Sequence, residues 1–95
     1  MKLARLYIPK YPNYQVKLLE DRLLDAFGGY TLVSAFGVGT WRNPESKEVV
    51  REPVYVYDVV IQEQVGVLRA ILEQYKEEAE QLSVLYVLDN TPIFI

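Results

Sequence analysis

The chain has 95 residues, 51% of them hydrophobic, with no cysteine, no histidine and a formal net charge of −3. That length suits one domain with a single modest core. Disulfides, thiolate zinc sites, cysteine nucleophiles and histidine-based triads are excluded, and an acidic pI near 4.9 argues against a nucleic-acid binder, which needs clustered Lys and Arg.

No apolar run reaches the ~18–20 residues of a membrane span. Pro9, Lys10 and Pro12 interrupt the first apolar stretch, so no signal peptide and a cytoplasmic location are expected. Lys2 to Ile8 reads as a strand with Leu3, Arg5 and Tyr7 on one side, because strand side chains alternate. Pro9 and Pro12 end it. Asn13 is a candidate N-cap for an amphipathic helix whose stripe is Val16, Leu19, Leu23 and Ala26/Phe27. Gly28-Gly29 stops that helix, since a left-handed terminal residue is cheapest as glycine.

Tyr30 to Trp41 reads as the second strand, with Gly37 and Gly39 marking a bend or a close backbone approach. Arg42 to Glu48 is a polar hairpin loop. Val49 to Ile61 is the third strand. Its Val50, Val54, Val56 and Val60 share one face, taken as the core face, and Tyr55, Tyr57, Val59 and Ile61 share the other. Pro53 implies a bulge or an unpaired N–H side.

The second helix begins near Gln62-Glu63. Val65, Leu68, Leu72, Tyr75, Ala79 and Leu82 recur at helical spacing, the clearest periodic signal in the chain. Ser83 to Leu88 is a fourth strand, Asp89 to Pro92 a turn, and Ile93-Phe94-Ile95 an apolar tail. The order βαββαβ predicts an α+β, ferredoxin-like sandwich: a four-stranded antiparallel sheet in the order 4-1-3-2 with two helices on one face.

The uncovered face is then expected to carry Tyr7, Tyr55 and Tyr57, with Val33, Ala35, Val59 and Trp41. So apolar a face, together with the tail, implies self-association into a homo-oligomer. Three polar or aromatic residues stand out as a ligand site. Trp41 and Arg42 end a strand beside glycines, where an indole and a guanidinium suit a planar or anionic ligand. Glu52 shares parity with the valines, and a carboxylate on a core face is costly unless paired or turned out by a bulge. The hairpin brings Glu52 near Trp41, and an Arg42–Glu52 pair could form. Gly37-Val38-Gly39 is no phosphate-binding fingerprint, and Asp25, Asp58 and Asp89 show no metal-ligand spacing. No cofactor, metal or catalytic residue is implied.

Two resemblances add to this reading. Leu6-Tyr7-Ile8 and Arg51 with Tyr55-Val56 partly resemble the strand motifs of the RNA recognition motif, which would put Tyr7 and Tyr55 under stacked bases. Glu52, Pro53, Val54 and Asp58 depart from that pattern. The run Phe27-Gly28-Gly29-Tyr30-Thr31, then Gly39-Thr40-Trp41-Arg42, Val50-Arg51-Glu52, Tyr75-Lys76 and Ser83-Val84-Leu85, resembles an uncharacterised family of small bacterial and phage proteins. It implies the same fold, no established activity, and Trp41, Arg42 and Glu52 as a site. The expectation is a small non-enzymatic homo-oligomer binding a protein partner or a small ligand. The alternatives are single-stranded RNA binding through the sheet tyrosines and a cofactor-free dimeric α/β-barrel enzyme with its pocket between helices and sheet.

Overall fold

The computed structural model describes all 95 residues. In β1 (Lys2–Pro9), Ala4, Leu6 and Ile8 are fully buried while Leu3 and Arg5 are exposed. This alternation decides which sheet face the helices cover. The chain continues through α1 (Asn13–Phe27), β2 (Thr31–Arg42), β3 (Val49–Ile61), α2 (Val65–Glu78), β4 (Leu85–Leu88) and β5 (Thr91–Phe94). The five strands form one antiparallel sheet in the order β2-β3-β1-β4-β5.

The expected βαββαβ order and strand neighbours are present, but the sheet has five strands, not four. The extra strand comes from the tail. Only Asp89 and Asn90 make the turn, both at positive φ (48° and 65°). Two such residues form a tight hairpin whose twist matches the flanking strands. Thr91 therefore pairs with Leu88, and Phe94 with Leu85. Ile95 exchanges both backbone hydrogen bonds with Val84, at 3.0 and 3.1 Å. Pro92 is tolerated because β5 is an edge strand.

β3 presents the opposite face to the one expected. Leu6 pairs with Tyr57, Ala4 with Val59 and Ile8 with Tyr55, and directly paired residues share a face. Tyr57 and Val59 are fully buried under the helices, and Tyr55 packs against the same cluster. The expectation that Tyr55, Tyr57 and Val59 line the open face is therefore overturned. A tyrosine enters a core when its hydroxyl finds a partner. The Tyr57 hydroxyl donates to Glu20 Oε2 at 2.6 Å, and the Tyr30 and Tyr55 rings meet its ring edge-on. With the parity reversed, Val54, Val56 and Glu52 point to the open face, and Glu52 needs no bulge to escape a core.

Pro53 stays in regular register with Val38; the irregularities fall earlier, between Leu32 and Ser34 and between Ser34 and Gly37. The Pro53 carbonyl accepts from Lys10 N–H at 3.0 Å, where β1 has ended. A strand residue aims its N and O to the same side, so the missing N–H falls where no ladder partner remains.

α1 begins at Asn13 itself, without a side-chain cap, and ends at Gly28 (φ 81°), whose N–H reaches Leu24 O. α2 buries Leu68, Ile71, Leu72 and Tyr75. It ends at Glu78, so Leu82, expected at the foot of its stripe, is 76% exposed. The helices are joined to each other by an Arg22–Glu78 ion pair and share one core with β1, β3 and β4.

Candidate functional site

β1 runs beside β3 only from Val54 to Ile61. Beyond that point, β2 and β3 continue together as a two-stranded arm as far as the Arg42–Val49 pair. Where the arm leaves the sheet, the open face hollows into a pocket of about 600 Å³, a size usual for small-molecule sites. Tyr7, Val54, Val56 and Leu85 form its floor. The arm supplies Gly37, Gly39, Trp41 and Glu52 as one wall. Glu80 to Ser83, the connection from α2 to β4, supplies the other with Phe94.

The glycines shape this hollow. A Cβ on Gly37 would meet Val54 Cγ2 at 3.0 Å and Val54 O at 3.2 Å; one on Gly39 would meet Val54 Cγ1 at 3.3 Å. A Cβ at either position would press on Val54, so glycine lets the arm lie close against the floor. Gly39 is the direct partner of Glu52, and Trp41 of Val50. Trp41 and Glu52 are thus diagonal neighbours on one face, within reach of one ligand.

Of the residues singled out from the sequence, Tyr7, Trp41 and Glu52 are brought together. Arg42 is not. It follows Trp41 and so points to the other face of the arm, where its guanidinium donates to Lys47 O at 2.9 Å and closes the hairpin loop. The Arg42–Glu52 pair does not form. Tyr55 and Tyr57 lie behind the sheet. Leu82, Ser83, Glu80 and Phe94 were not foreseen. Two signals pointed to them: a leucine at the end of a helical stripe beyond the helix's last charged turn, and an unexplained aromatic in the tail.

The charge of the lining is one-sided. Glu52 and Glu80 are its only ionisable carboxylates, and no Lys or Arg lines it. Behind the floor, Tyr75 donates its hydroxyl to Pro9 O at 3.3 Å. Burial, and to a smaller degree the Glu52 charge, pushes that phenol well above its ordinary value. A second hollow of about 680 Å³ along α2 is lined by charged and amide side chains with Ile95 alone apolar; it is a solvated groove. No cluster of metal-ligating side chains is present, and no helix is long and apolar enough to cross a membrane.

No family model matches the chain, and no curated protein does. Solved structures do. A phage SAM lyase in its apo state superposes with a TM-score of 0.72 at 14% identity, over 99% of this chain and 87% of that one. A phage SAM lyase in complex with S-methyl-5′-thioadenosine gives 0.68 at 13% identity, over 99% and 88%. The shared property is the fold, at nearly full length.

These likenesses overturn the expectation of a non-enzymatic binding protein, because the same arrangement of strands and helices is that of an enzyme. The two alternatives fall on geometry. Tyr7 and Tyr55 occupy opposite faces of the sheet, so they cannot stack bases on one surface. The space between helices and sheet is filled by 17 buried residues, which leaves no barrel-type pocket there.

Proposed function

We propose that this chain, in outline a ferredoxin-like sandwich with an added edge strand, is a lyase acting on an adenosyl sulfonium of the S-adenosylmethionine class. The observation that carries the proposal is the open-face pocket, where aromatic side chains and a carboxylate, Glu52, face one void on a fold shared with SAM lyases.

The chemistry explains why such an enzyme manages without histidine or cysteine. A sulfonium sulfur already carries the positive charge that makes it a leaving group. When its bond to the amino-acid arm breaks, the electron pair goes to sulfur and a neutral thioether departs, so no general acid is required. S-methyl-5′-thioadenosine, the ligand of one structural neighbour, is that thioether. The arm is completed from within itself: its own carboxylate oxygen bonds the carbon as the carbon–sulfur bond breaks and closes a lactone, so no water is consumed. The protein's part is to fold the substrate into a reactive shape and to keep water out. In this reading Trp41 and Phe94 wall the planar adenine, Tyr7 supports it from the floor, and Glu52 faces the sulfonium end. A cytoplasmic location and self-association over the open face belong to the same reading.

Purified protein incubated with S-adenosylmethionine is expected to release S-methyl-5′-thioadenosine, measured by chromatography. Glu52→Gln is expected to lower kcat/KM by roughly tenfold or more with the melting temperature little changed, because Glu52 stands on the open face and not in the core. Trp41→Ala should act mainly on KM. If no thioether forms above the protein-free background, the proposal fails.

A further inference from the structure

α2 ends in a Schellman turn: Glu80 N–H reaches Glu77 O at 3.2 Å and Gln81 N–H reaches Lys76 O at 2.9 Å. Glu80 occupies its left-handed position at φ 54°. Glycine is the residue this position favours, because it has no Cβ to strain. A glutamate there lines the wall of the pocket across from Glu52. Glu80 takes part in no ion pair. Glu80 also borders the adjoining groove along α2 with Arg69 and Lys76; Arg69 is held by Glu73 at 2.8 Å, and Lys76 makes no ion pair.

Two carboxylates therefore flank one aromatic-lined hollow: Glu52 on the arm and Glu80 on the opposite wall. No basic side chain of the lining offsets them. Trp41, Tyr7 and Phe94 line the hollow as well, and aromatic rings attract weakly hydrated cations. We propose that Glu80 is a specificity-determining residue that makes this pocket prefer a sulfonium or quaternary cation over the neutral thioether of the same shape. The inference rests on the adenosyl-sulfonium reading of the pocket and extends it. Substrate would be held by its charge, and cleavage would abolish that charge and release the product.

The test uses Trp41, the only tryptophan in the chain, as a fluorescent reporter. S-Adenosylmethionine, its uncharged counterpart S-adenosylhomocysteine, and the adenosine-free cation S-methylmethionine are titrated into wild type, Glu80→Gln and Glu80→Gly. Wild type is expected to bind S-adenosylmethionine roughly tenfold tighter than S-adenosylhomocysteine at low salt. Both variants should narrow that ratio to about threefold or less by weakening the cation alone. Glu80→Gly suits the local backbone, so a loss of preference in it is not a loss of fold. Equal affinity for the charged and uncharged adenosyl compounds, unmoved by either variant, would overturn the charge selection and leave the adenosyl reading standing. Binding of S-methylmethionine without either adenosyl compound would uphold the charge selection and sink the adenosyl reading. Silence with all three would remove both.

Discussion

Tyr57 shows how one hydroxyl can settle the orientation of a strand. Its ring is fully buried, and burial, then the hydrogen bond to Glu20, raise its pKa well above the ordinary value. Burial does the same for Tyr75. A phenol with a raised folded-state pKa stabilises the fold below its unfolded value of about 10, and that contribution is lost as pH rises beyond it. An absorbance titration should thus show Tyr57 and Tyr75, among eight tyrosines, ionising only as the native circular dichroism is lost. Tyr57→Phe should destabilise by roughly 1–2 kcal/mol at neutral pH and soften the alkaline limb. If all the tyrosines ionise while the native spectrum persists, the burial assigned to these two is wrong. Trp41 and Glu52 were legible in the sequence as a pair because a hairpin fixes cross-strand neighbours. Arg42 was not, because adjacent strand residues face opposite ways and its guanidinium closes the hairpin loop instead.

At the level of elements, spacing served well wherever burial is one-sided and local. The α2 stripe holds from Leu68 to Ala79, and Leu72 is fully buried between α1 and the sheet. Leu72→Ala is expected to cost about 2–5 kcal/mol in denaturant melts; a loss below about 1 kcal/mol would contradict that packing. β3 was harder. It alternates valines against tyrosines, valine and isoleucine, so both faces are apolar and hydrophobicity alone cannot assign the core side. Register against β1 and the acceptor on α1 decide it, and neither is local information. β5 escaped notice because Thr-Pro resembles a turn. Its existence depends on Asp89 and Asn90 both adopting positive φ, which shortens the turn to two residues. The pocket needed all of this at once: the reversed face of β3, the early end of α2 that frees Leu82, and β5 to carry Phe94.

Across the whole molecule, the open sheet face divides into zones. The pocket occupies the end where the arm departs. The bidentate pair of Arg5 with Asp58, at 2.8 Å for both contacts, sits in the middle. Leu3 and Val60, direct cross-strand partners, lie toward the opposite end and are 48% and 52% exposed. The tail is docked as β5 and Tyr55 and Tyr57 are covered, which removes part of the apolar surface expected to drive self-association. Leu3 and Val60 replace them as apolar surface without a partner. A molecule 40 × 28 Å across has room on that face for the ~800 Å² per subunit that a stable interface buries. Light scattering at micromolar concentration is expected to report a dimer or larger species. Leu3→Glu should shift it toward the monomer, because a carboxylate there would be desolvated without a partner. Leu3 does not line the pocket, so fluorescence titration of Trp41 separates two outcomes. If the variant becomes monomeric and still binds ligand, the pocket is complete within one chain. If binding is lost with association, the second copy completes it. A wild type that is monomeric at every concentration would mean that this face is solvated and that Leu3 and Val60 are ordinary surface residues.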